Sequence, residues 1–282
     1  MISTPGLIVA VALATYAVVC LVAAPYLLTR GSWRVHYPRL CLTLWYAAFL
    51  TGVGAGVGSG AIGVWYGWQI GVDGQILADS FGFSAEPWVG RTVQIAGGVI
   101  GWSTLAIGGG LAGLVATRAA TLVSSQRRLR ADVDRVVARS GYRREVVAGT
   151  PVTYVASRQP IACGLTGRSR GAVIISAELD LALSRRELRA VIEHERAHLR
   201  GAHQLLSRLA LLNQACLPSA RAARELRRAT ALLIELIADD AAARRCGGAD
   251  LAAALTKIGN ADGDPTIGLR ARRIEQRLAL AA

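Results

Sequence analysis

Three stretches of this chain carry no charged side chain: Ile2–Thr29, Leu40–Val72 and Thr92–Thr117. Each is long enough to cross a hydrocarbon core, which takes about 20 residues of helix. The sequence therefore predicts three transmembrane helices, about 7–28, 40–65 and 92–117, in a membrane domain of residues 1–118. The first run has no basic n-region and exceeds the apolar core of a signal peptide, so it reads as an anchor. Apolar residues make up 52% of the chain, and a mean hydropathy of +0.37 is high for a soluble protein.

The net charge is +13, from 31 arginines and one lysine, Lys257. This does not by itself argue for nucleic acid, and no direct nucleic-acid partner is expected, because the arginines fall where a membrane protein places them. Arg30, Arg34 and Arg39 separate the first two apolar runs, and Arg118, Arg127, Arg128 and Arg130 follow the third. Between the second and third stand Asp73, Asp79, Glu86 and a single Arg91. The positive-inside rule then places the N-terminus outside and everything after Thr117 in the cytoplasm, in a multi-pass protein of the cell membrane. Trp65, Tyr66, Trp68 and Trp88 flank the outer loop, about Tyr66–Gly90, as interfacial aromatics do. That loop is too short for a folded sensor domain. Five scattered cysteines without a CxxC pair predict free thiols and no cysteine zinc site.

Glycines recur four apart in the apolar runs, as in Gly52-Gly56-Gly60 and Gly109-Gly113. Such spacing lets helix backbones approach closely, within one molecule or across a homodimer. No GKS or GKT follows them, which excludes a phosphate loop. Residues 119–150 read as a basic juxtamembrane linker helix. Its helical part, with Arg127, Arg128, Arg130, Arg135 and Arg139, suits either anionic membrane lipids or water. Two short β-branched segments follow, Val152–Ala156 and Ala172–Ile175, with Gly164, Gly167 and Gly171 as turn markers. Val173, Ile174 and Ile175 are candidates for an edge strand that pairs with an extended substrate, or for an ordinary sheet strand.

Ser184-Arg185-Arg186-Glu187 is a capping box and starts a helix that ends near Gly201. Inside it lies His194-Glu195-Arg196-Ala197-His198, an HExxH pattern in a chain with only four histidines. Two imidazoles four residues apart share a helical face and can hold one Zn²⁺, while the carboxylate between them can take a proton from a bound water. A catalytic zinc wants a third protein ligand. His203 stands one residue short of the third histidine in HExxHxxGxxH, so it is the weaker choice. Glu235 is the better one, on a helix from about Ala220 to Gly247-Gly248, with Asp239 one turn on to orient a ligand imidazole. His203 and Arg228 are candidate donors to an oxyanion.

The three apolar helices and the segments PIACGLTGRSRGAVIIS, LSRRELRAVIEHERAH and ELIADDAAAR together resemble the antirepressor-type membrane metallopeptidases, whose relatives include the β-lactam sensor-transducers. HExxH followed by ExxAD is shared also with the heat-shock and prenyl-protein membrane endopeptidases. The resemblance implies a mainly α membrane protein whose residues 151–282 form a cytoplasmic α+β zincin-like peptidase domain. It implies one zinc ion on His194, His198 and Glu235, with Glu195 as general base. The implied substrate is a cytoplasmic protein such as a transcriptional repressor. The alternatives are a quality-control endopeptidase acting on membrane proteins, and a non-proteolytic transducer with a structural zinc. The β-lactam sensors carry an extracellular domain after a fourth transmembrane helix. Neither is found up to Ala282, so no penicillin-binding sensor in cis is expected. Leu232-Leu233-Ile234, just before Glu235, depart from the charged residues often found there in the family.

Overall fold

The computed structural model describes residues 4–29, 31, 33–80, 87–165, 171–201, 203–262 and 264–280. Two compact units result. One comprises Met1–Ser32, Leu40–Thr121 and Gln214–Leu226; the other comprises Trp33–Arg39, Leu122–Asn213 and Arg227–Ala282.

The first unit is built from apolar helices. Helix α1 (Thr4–Val18) continues through a π-helical turn, Val19–Ala23, into α2 (Ala24–Thr29). The short α3 (Trp33–His36) belongs to the second unit, and the first continues with α4 (Pro38–Ser80) from Leu40 and with α5 (Pro87–Ser140) as far as Thr121. Two helices are long and apolar enough to cross a membrane, Pro38–Gln69 and Ile95–Ser140, while the apolar helix Ile8–Ala23 is shorter. Only 6% of the second apolar window is buried, unlike a soluble core helix, and Val57, Trp68, Trp102 and Ile107 point outward.

Helix α4 runs on to Ser80, so Asp73 and Asp79 stand on a helix where an outer loop was expected. Glu86 and Arg30 lie outside the described residues. The third apolar run and the basic segment to Ser140 are one uninterrupted helix. Ser59 donates to the Ala10 carbonyl at 2.9 Å, tying α4 to α1. The close backbone approach of α4 to α5 is at Gly67 and Gly101, where a Cβ on Gly67 would stand 2.8 Å from the Gly101 Cα. A Cβ on Gly109 or Gly113 would meet nothing within 4 Å, so that expected pair makes no close approach.

The second unit is α+β. Its sheet has the order β1-β2-β4-β3, from β1 (Gly141–Val147), β2 (Thr150–Val155), β3 (Ala162–Leu165) and β4 (Ala172–Ser176). β1 and β2 form an antiparallel hairpin in which Val147 faces Thr150. Ala148 and Gly149 close it with φ of 49° and 80°, the two positive values of a type I′ turn that follows the strands' own twist. The sheet thus begins at Gly141, inside the segment expected as a linker.

β4 runs parallel to β2 and antiparallel to β3. It is therefore an inner strand, and Val173, Ile174 and Ile175 are all buried. These residues are therefore not the expected substrate edge: their backbone groups are taken on both sides, and among the described residues the edge strands are β1 and β3. Gly164 sits within β3 and not at a turn, while Gly167 lies outside the described residues.

Ser176 caps α6 (Ala177–Ala182), and Ser184 with Glu187 closes the predicted capping box on α7 (Arg185–Arg200). Then come α8 (His203–Cys216), α9 (Arg221–Cys246), α10 (Gly248–Asp262) and α11 (Pro265–Ala279). Val152, Tyr154, Val173 and Ile175 of the sheet pack with Leu188, Val191 and Ile192 of α7. Each such side chain contributes about 1.5–3 kcal/mol when buried. One face of α7 is thereby fixed on the sheet, and its next turns carry the HExxH residues. Ala190 of α7, Ala242 of α9, Leu251 of α10 and Ile274 of α11 form a second core. It brings α11 alongside α9.

Candidate metal centre

His194 and His198 lie one helical turn apart on α7, and Glu235 reaches them from α9. His194 Nε2 is 3.1 Å from His198 Nε2. Glu235 places Oε2 3.3 Å from His194 Nε2 and Oε1 3.4 Å from His198 Nε2. The three side chains form a group able to hold a metal ion. A tetrahedral zinc with bonds of about 2.0–2.1 Å sets its ligand atoms about 3.3 Å apart. The observed spacings fit that ion.

The charges fit it as well. Three carboxylates, Glu195, Glu235 and Asp239, gather here with one guanidinium, Arg270. With neutral imidazoles two negative charges remain, and a divalent cation cancels them. The two imidazoles differ in their hold on a proton. Burial works against a charged His194, but Asp239 and Glu235 outweigh it and lift its pKa to about 9. His198 goes the other way, down to about 4, through burial and the nearby His194. One imidazole is held charged and the other neutral, and a divalent cation bound here would take the place of that proton.

Asp239 stands behind His194, with Oδ1 2.9 Å from Nδ1. That approach is off the N–H line and leaves Nδ1 without a well-formed hydrogen bond. His203 Nδ1 lies 3.2 Å from His198 Nδ1. His203 thus neighbours a ligand through the ring nitrogen that faces away from Glu235.

Glu195 points to the sheet. Its Oε2 accepts a hydrogen bond from the Gly164 N–H at 2.8 Å. Burial raises its carboxyl above the usual carboxylate range against the pull of His194. β3 comes this close because residue 164 has no side chain: a Cβ there would stand 3.0 Å from Leu199 Cγ and 3.2 Å from the Glu195 carbonyl oxygen. Gly164→Ala is expected to push β3 off α7 and stretch the bond to Glu195. It should cost about 1–3 kcal/mol as overpacking, read as a lower unfolding midpoint.

Arg270 is the residue that sequence reading missed. Its Nε and one terminal nitrogen donate to the two oxygens of Asp239 at 2.8 and 2.7 Å. The other terminal nitrogen reaches Glu235 Oε2 at 2.9 Å. Burial disfavours every charge here, yet His194 and Arg270 together hold Glu235 and Asp239 at about 2. In sequence, Arg270 is one of several arginines on a basic helix, with no spacing that ties it to HExxH.

A cavity of about 690 Å³ opens from His198 and Glu235. Arg228 and His203 line it, beside Gly164 and Leu165 of β3. The structure therefore gathers His194, Glu195, His198, Glu235, Asp239 and His203, places Arg228 in the adjoining wall, and leaves Val173, Ile174 and Ile175 inside the sheet. No curated protein and no solved structure matches this chain. Residues 124–250, which include every one of these gathered side chains but not Arg270, match the model of peptidase family M48 and so indicate a metallopeptidase.

Proposed function

We propose that this chain is a membrane-anchored zinc endopeptidase. The observation that carries the reading is the convergence of His194 Nε2, His198 Nε2 and a Glu235 oxygen within 4.8 Å, beside a carboxylate that is not among them. Zinc bound to these three would supply Lewis acidity, lowering the pKa of a water and polarising the scissile carbonyl. Glu195 is the base that removes the water's proton, and it returns that proton to the departing amine. One peptide bond and one water become a carboxylate and an amine, with Glu195 unchanged. Asp239 and His203 orient the two imidazoles. β3 offers its open edge to an extended substrate. Donors for the oxyanion are available in His203 and Arg228.

Three apolar helices anchor the enzyme, and the basic stretch after Thr117 lies at the anionic cytoplasmic surface. The substrate is a cytoplasmic protein, and the antirepressor resemblance points to a transcriptional repressor. The test compares new protein N-termini in cells that make wild type or Glu195→Ala at equal levels. A cytoplasmic regulator cut only by wild type supports the reading. Many wild-type-dependent fragments of membrane proteins would assign quality control instead. An unchanged phenotype in Glu195→Ala cells would assign a transducer with a structural zinc.

A further inference from the structure

The cavity beside the metal ligands carries more guanidinium groups than hydrolysis requires. Helices α5, α8 and α9 each turn one arginine into its wall: Arg130, Arg208 and Arg228. On each helix a leucine accompanies it, Leu129, Leu211 and Leu232. Glu235, itself committed to the metal group, is the one carboxylate among the described residues of the lining. Arg130, Arg208 and Arg228 are exposed at the rim, and so are Leu129 and Leu232. The helix faces are consistent with this. Gln204, Arg208 and Leu211 follow one stripe of α8, and Arg228, Leu232 and Glu235 follow one stripe of α9. The arginine of α9 thus sits two turns from the third ligand on the same face.

We propose that this cavity is a specificity pocket for a short acidic segment of the substrate, next to the bond that is cut. The proposal rests on the peptidase reading above. A chain laid along β3 passes His198 and Glu235 and directs alternate side chains into the cavity. At about 690 Å³ the cavity is larger than one side chain needs, and its leucine walls suit the methylenes of glutamate beneath a guanidinium rim. The three guanidinium groups at the rim, apart from Arg270, which is held by Asp239 and Glu235, also repel lysine and arginine, so the same residues both select and exclude.

The test uses full-length, zinc-loaded protein in detergent micelles, in a Glu195→Gln background that does not need to cleave. Three short fluorescent peptides differ only in carrying Glu-Glu, Gln-Gln or Lys-Lys beside the central bond, and binding is read by anisotropy. The Glu-Glu peptide is expected to bind about tenfold more tightly than Lys-Lys, with the ratio shrinking as salt is added. Arg208→Glu, at an exposed position, should bring the ratio to about one or reverse it, and Arg208→Gln should fall between. Equal binding of the three peptides overturns the pocket, as does a ratio that Arg208→Glu leaves in place. Because binding needs no hydrolysis, the ratio judges the pocket even where wild type cleaves none of the peptides. Wild-type cleavage without any charge preference sinks the pocket and leaves the peptidase standing.

Discussion

Glu195→Gln is expected to stay folded, keep its metal, and cleave peptides about 10²–10⁴-fold more slowly than wild type, the usual worth of a positioned acid–base group. The fold should survive because the substitution is nearly isosteric. The one hydrogen bond that holds Glu195, from the Gly164 N–H at 2.8 Å, can be accepted equally by an amide oxygen. The metal should stay because His194, His198 and Glu235 supply the ligand atoms and Glu195 supplies none of them. Only the proton transfer is lost, since an amide cannot take a proton from water near neutral pH. Zinc content by mass spectrometry and single-turnover cleavage rates on the same preparation separate the two effects. Cleavage at the wild-type rate would place the base elsewhere. Loss of zinc along with cleavage would instead make Glu195 part of the metal-holding set.

The parts legible from sequence were those written in local chemistry. Ser184 and Glu187 three residues apart fix the start of α7, and the HExxH spacing puts two imidazoles on one face of it. Gly247, with φ of 91°, ends α9 where the glycine pair suggested. What was not legible depends on partners distant in the chain. The β-branched run Val173-Ile174-Ile175 says strand but not which neighbours it has, and two β partners turned the expected edge into an interior strand. β3 carries two residues, Ala162 and Gly164, with little strand preference, and it forms because β4 and α7 receive it. Arg270 and Glu235 are brought together by the packing of α11 on α10 and α9, which no local pattern announces.

Arg270→Ala should be the most destabilising single change at the site. Asp239 is fully buried, and the Arg270 side chain is 12% exposed. Removing one partner of a buried pair leaves the other charge stranded, at a cost of about 3–5 kcal/mol. Metal binding should weaken too, by about 10–100-fold, because Glu235 and the residue behind His194 both lose their clamp. Lysine at this position restores the charge but not the fork that matches two carboxylate oxygens, so Arg270→Lys should recover part of the stability and less of the zinc affinity. Acid supplies the control that separates charge from packing. Asp239 titrates at about 2 in the folded chain, because the Arg270 fork and His194 overcome the effect of burial. Its folded pKa lies below the unfolded value of about 3.9, so the pair's contribution is complete above that pH and disappears as pH falls through about 2. In metal-free protein, the gap in unfolding midpoint between wild type and Arg270→Ala should therefore be widest near neutral pH and narrow below about pH 4. A gap that stays constant across that range would make Arg270 a packing residue. A variant that binds zinc as tightly as wild type would show that Glu235 and His194 hold their geometry without it.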